Sequence, residues 1–171
     1  VDQLELIGIA HLNGTGNALA NTLTGNSGNN LLDGGTLADT MAGGAGNDTY
    51  IVNGAGDVIT EALDGGIDEI RAYASVTLAA NVENVRIMTG ATASAVGNAL
   101  DNVMVAGAGN NILSAGGGSD TASYETATSG VTVSLAIGSA QTTGGSGSDT
   151  LASIENLVGS AFADTLTGNS S

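Results

Sequence analysis

The chain has 171 residues, with 17 acidic side chains against two basic ones, a formal net charge of −15, and neither cysteine nor proline. This balance disfavours nucleic acid and anionic membrane surfaces as partners and leaves cations as the natural counterpart. Disulfides are excluded, zinc finds almost no histidine or cysteine, and no stretch approaches the ~20 apolar residues of a membrane span.

From Gly16 the chain falls into contiguous nonapeptides: Gly16 to Thr24, Gly25 to Asp33, Gly34 to Ala42 and Gly43 to Ile51, each opening with glycine. Their sixth positions hold Asn21, Asn30, Asp39 and Asp48, and their eighth positions hold Leu23, Leu32, Met41 and Tyr50. Oxygen donors and apolar residues therefore keep separate columns. The next unit, Val52 to Thr60, loses its glycine but places Asp57 and Ile59 in the same columns. Ile70 to Ile87 reads mainly as strand, with a turn at Leu78 to Asn81.

A longer period overlies the short one. GNALAN at Gly16 returns as GNALDN at Gly97, 81 residues or nine nonapeptides later, bringing Asn102, Asn111 and Asp120 into the oxygen column. Val131, Val133 and Leu135 alternate with polar or small residues as in a half-buried strand. Gly144 to Ala152 repeats the nonapeptide with Asp149 in sixth place, and Ile154-Glu155-Asn156-Leu157 leads into Gly159 to Thr167 with Asp164 in that place. We expect one elongated solenoid over residues 1–171, cut from a longer array, in which each turn packs only on its neighbours. Its repeat blocks are 16–60, 97–123 and 144–171, and its strand-rich spacers are 61–96 and 124–143.

With two nonapeptides to a coil, residues eighteen apart stack at about 4.7–4.9 Å. Stacked carboxylates repel by roughly 1 kcal/mol in water and more in the protein, so a cation between them reverses the sign. Calcium suits such a gap, because it takes six to eight oxygens in loose geometry, whereas magnesium demands a tighter octahedron. The expected metal ligands are Asn21, Asn30, Asp39, Asp48, Asp57, Asn102, Asn111, Asp120, Asp149 and Asp164, with carbonyls from Gly34, Gly35, Gly43, Gly44 and Gly46. The leading pairs are Asn30 with Asp48 and Asp39 with Asp57, then Asn21 with Asp39 and Asn102 with Asp120. Asp149 has Val131 and Thr167 eighteen residues away and so lacks an acidic partner in frame; Asp164 looks beyond Ser171.

Gly43 to Ile51 and Gly144 to Ala152 fit GGxGxDxUx at every fixed position, and GNDTYIVNGAGDVITEALDGG with the residues up to Val85 is similar to a long spacer found beside such repeats. The chain thus resembles the repeats-in-toxin family, whose nonapeptide forms calcium-binding β-helices. The resemblance implies an all-β, right-handed parallel β-roll with calcium in its turns, exported unfolded by a one-step bacterial route and acting outside the cell or at its surface. It implies a scaffold for neighbouring domains of the same polypeptide. The alternatives are an accessory module binding extracellular polysaccharide and, third, a catalytic β-helix. No catalytic set is assigned, because His11 has no second histidine or cysteine beside it, and Arg71 and Arg86 are expected to pair with acids such as Glu69 and Glu83. Tyr50, Tyr73, Tyr124 and Phe162 are expected to pack between rungs, with any exposed ring available to a sugar.

Overall fold

A computed structural model describes residues 2–88, 90 and 92–169, and among these every regular element is a β-strand of two to six residues. No described helix is long and apolar enough to cross a membrane. An eight-stranded sheet runs the length of the molecule, its strands being Asn13–Asn17, Leu31–Gly35, Thr49–Val52, Glu69–Ala72, Asn84–Ile87, Val103–Val105, Thr121–Ser123 and Asn156–Val158. All its pairings are parallel. Shorter parallel stacks complete the coils. Gln3–Glu5, Thr22–Thr24, Thr40–Ala42 and Val58–Thr60 form one, and Val76–Thr77, Ala93–Val96, Asn111–Ser114 and Gly147–Ala152 form another. The chain is a β-solenoid.

The strands are short because each nonapeptide offers one inward position before its glycines turn the chain. Parallel pairing sets those positions in columns: Gly14, Leu32, Tyr50, Ile70, Val85, Met104, Ala122 and Leu157 lie on successive rungs of the large sheet. Leu4, Leu23, Met41 and Ile59 form a second column, and Val76, Ala95, Leu113 and Leu151 a third. Leu32, Tyr50, Ile70, Val85, Met104 and Ala122 are fully buried, within one hydrophobic cluster. Tyr50 and Tyr124 pack as expected, whereas Tyr73 and Phe162 are about half exposed.

Through the first array the coil is regular, with Asn13 beside Leu31 beside Thr49 and Thr22 beside Thr40 beside Val58. The spacer then changes the step but not the sheet. Thr49 pairs with Glu69, Glu69 with Asn84, and Asn84 with Val103, so residues 61–96 continue the same roll. The second spacer behaves differently. Thr132–Ser134 leaves the large sheet to pair with Thr165–Thr167, and Gln141–Gly144 runs antiparallel to Gly147–Ala152. At this second full nonapeptide Gly147–Ala152 keeps its parallel pairing with Asn111–Ser114. Gly144 and Gly147, at φ of 87° and 80°, reverse the chain and add an antiparallel neighbour on its other edge.

Candidate metal-binding ladder

Most sixth-position residues stand immediately before strands, with Asn111 opening one and Asp149 inside one, so parallel stacking brings them into files along the edges of the coil. One Oδ of each aspartate takes the backbone N–H of the residue on the preceding coil. Asn21 donates to Asp39 at 2.8 Å, Asn30 to Asp48 at 2.7 Å, Asp39 to Asp57 at 3.1 Å and Asn102 to Asp120 at 2.7 Å. The four leading pairs are thus stacked at the predicted separation of 18 residues. The other oxygen, Oδ2 of Asp39, Asp48, Asp68, Asp120 and Asp149, is buried without a hydrogen-bond partner. Buried polar atoms are almost always satisfied, and five such carboxylate oxygens along the edges of the coil suit a ligand that supplies positive charge. These residues fit a hard, oxygen-seeking cation such as calcium.

Glycine opens each unit for a steric reason. A Cβ at Gly43 would fall on the Asp48 carboxylate and the Tyr50 hydroxyl, and one at Gly34 would fall on the Asp39 carboxylate. Gly35, Gly44 and Gly46 have φ of 94°, 101° and 111°, which L side chains rarely adopt.

Asparagine turns are wired differently. Asn30 accepts the Asn26 N–H at 2.8 Å and donates its amide to the Leu12 carbonyl at 3.0 Å and to Asn26 Oδ1 at 3.1 Å. Asn102 does likewise, accepting from Asn98 and donating to the carbonyls of Val82 and Glu83 at 3.2 and 3.0 Å. Asn21 and Asn111 accept the N–H four residues back, at 2.7 and 2.9 Å.

In the second half the register slips. Asp149 stacks over Asn111, accepting its N–H at 2.7 Å across 38 residues, because the antiparallel excursion is looped out between them. Asp164 was expected to find its partner beyond Ser171. Toward the earlier coil it accepts the Val131 N–H at 2.8 Å, and it is held by Ser160.

Three residues outside the predicted set extend the file. Asp68 accepts from the Asp48 N–H at 2.7 Å, Glu83 from Asp68 at 2.8 Å and Glu155 from Asp120 at 2.9 Å. The sequence signal for Asp68 is the truncated turn Gly65-Gly66-Ile67-Asp68, two residues out of frame. Both arginines share Glu69, which pairs with Arg71 at 3.0 Å and with Arg86 at 3.1 Å, and Arg86 also reaches Glu125 at 2.7 Å. Glu83, predicted to pair with arginine, belongs to the file. His11 accepts a backbone N–H from Asn29 in an exposed turn.

Burial raises the carboxyls of Asp48, Asp57 and Asp120 above the usual range, against the lowering effect of the amides they accept. Asp68 is pushed up to about 7, first by burial and then by the charges of Glu61, Asp48 and Glu83. Asp149 is pushed up to about 6 by burial, opposed by the Asn111 amide and by the hydroxyls of Tyr124, Ser146 and Thr143. Between the ordinary carboxylate value and these raised ones, the folded chain holds protons that the unfolded chain has lost. Stability without metal therefore falls as pH rises through that window. In calcium-free buffer the circular dichroism strand signal is expected to be larger near pH ~5 than near pH ~7.5. An equal or larger signal at the higher pH would contradict this.

A scan against family profiles matches the RTX calcium-binding nonapeptide repeat in four copies, over residues 15–50, 96–123 and 152–171. The chain belongs to this family. The matched segments of the RTX array contain Asp39, Asp48, Asp120 and Asp164, whereas Glu61, Asp68 and Asp149 lie outside them. Searches of curated proteins and of solved structures give no match.

Proposed function

We propose that this RTX array is a calcium-dependent folding module of a secreted bacterial protein, disordered at cytosolic calcium and assembled outside the cell, where it holds and spaces neighbouring domains. The observation that carries this reading is the file of buried aspartates, each with one oxygen tied to the preceding coil and, at five rungs, the other left without a partner. Bound calcium supplies the positive charge and oxygen coordination that the polypeptide, with two basic residues, cannot. Asp39, Asp48, Asp57 and Asp120 are the proposed side-chain ligands of the nonapeptide turns, with the carbonyls of Gly34, Gly35, Gly43, Gly44 and Gly46 beside the first group. Asp149 and Asp164 serve the same role at their slipped stacks. Asn30 and Asn102 are proposed as rungs closed by their own amides, which donate to carbonyls of the coil below. Asn21 and Asn111 are proposed to contribute a neutral oxygen. Because binding favours the folded coil, ligand free energy becomes folding free energy.

This commitment of acids to rung contacts also favours a non-catalytic role. Equilibrium dialysis tests the reading directly: several calcium ions per chain are expected at about 10⁻⁴–10⁻³ M free calcium, the range of extracellular modules. No uptake at that concentration would overturn it. The half-exposed rings of Tyr73 and Phe162 motivate the accessory-module alternative. Retardation in affinity electrophoresis through alginate would favour that alternative, and unretarded migration would favour a folding and spacing element.

A further inference from the structure

Where the nonapeptides give way to the spacer, three carboxylates meet. Asp48, Glu61 and Asp68 are all buried, and one oxygen from each lies within 4.8 Å of the others. Asp48 and Asp68 are each 1% exposed, and their Oδ2 atoms have no hydrogen-bond partner. Glu61 is fixed from several sides. Its Oε1 accepts the N–H groups of Ala62 at 2.8 Å and Gly44 at 3.3 Å, and its Oε2 accepts the Tyr50 hydroxyl, which itself accepts the Gly43 N–H at 2.6 Å. Three carboxyl groups are therefore gathered in one buried place by separate elements. Asp48 belongs to the full nonapeptide of the first array, Glu61 follows the strand Val58–Thr60, and Asp68 precedes the strand Glu69–Ala72.

No basic side chain neutralises them, since both arginines of the chain are engaged with Glu69 and Glu125. The spacing matches an oxygen shell of about 4.6–5.2 Å diameter, twice the calcium–oxygen distance. We propose that Asp48, Glu61 and Asp68 form a divalent-cation site of their own at the junction of array and spacer, with Glu61 as a spacer-supplied ligand. The proposal rests on the reading that this chain takes up calcium, but adds a site built largely from residues outside the matched repeats. Its consequence is structural: the site clamps the coil whose step lengthens to 20 residues, where the regular register is lost.

The test uses the whole chain at saturating calcium, with ions counted by native mass spectrometry. Glu61→Gln keeps an oxygen and Asp68→Asn keeps the shape, and each is expected to bind one ion fewer than the parent while retaining its strand signal. Terbium gives an independent readout, because Tyr50 lies against the site and sensitises lanthanide emission. Tyr50→Phe is expected to remove a component of tyrosine-excited terbium emission that Tyr124→Phe leaves. Unchanged ion counts in folded Glu61→Gln and Asp68→Asn overturn the proposal. If either variant fails to fold, terbium emission unaffected by Tyr50→Phe overturns it instead. A parent chain that binds no ion at all sinks the calcium reading as a whole, so the two failures are distinguishable.

Discussion

In excess chelator at neutral pH the strand signal of this chain is expected to collapse, and to return when calcium is restored. The driving terms are on opposite sides. Each nonapeptide buries one main apolar side chain, worth about 1.5–3 kcal/mol, against about 1–2 kcal/mol of backbone entropy for every ordered residue. Hydrogen bonds between rungs offset part of that cost, but the file of acids works against the fold. Neighbouring carboxylates about 4.8 Å apart repel by roughly 3–4 kcal/mol at an effective dielectric near 20. The net charge of −15 adds a general repulsion, and Arg71 and Arg86 are committed to Glu69 and Glu125. Circular dichroism through a calcium titration measures the outcome. A strand signal fully developed in chelator at neutral pH would show that the coil is self-sufficient.

Ile70→Ala is expected to cost about 2–5 kcal/mol, the range for truncating a large buried aliphatic side chain. Ile70 is fully buried, stacked between Tyr50 and Val85 at the rung where the step lengthens. A solenoid rung has neighbours only above and below, so few other side chains can close over the cavity. Since cation binding and folding are linked, the loss should appear as a higher calcium midpoint in the same titration. Val58→Ala is the control: Val58 is 53% exposed, and its midpoint should shift far less. Equal shifts for the two would mean that the inward column does not hold the coil together.

The inward column and the oxygen file were legible wherever the period of nine holds, because fixed spacing plus parallel pairing leaves little freedom in the register. Asp39, Asp48 and Asp57 stand where counting by eighteens puts them. Counting fails at Glu61 and Asp68, since a step of 20 residues shifts the frame and only the shortened motif Gly65-Gly66-Ile67-Asp68 marks it. It fails again near Asp149. There the nonapeptide glycines form a reversal between antiparallel strands, and the aspartate still reaches Asn111 because the intervening segment is looped out. A motif specifies its own backbone angles; which earlier rung it lands on depends on how much chain lies between. Nor does composition distinguish the wiring of Asn30 and Asn102 from that of the aspartates, although the former donate an amide to the coil below and the latter leave an oxygen open.

Along the file of stacked acids the contacts between coils point one way, each carboxylate receiving the N–H of a residue earlier in the chain. A newly formed layer therefore presents uncapped N–H groups until the next layer arrives to cover them. Growth by such a rule has polarity, like a zipper with a single slider, and a break in the file exposes bare donors on its N-terminal side and unmated acceptors on the other.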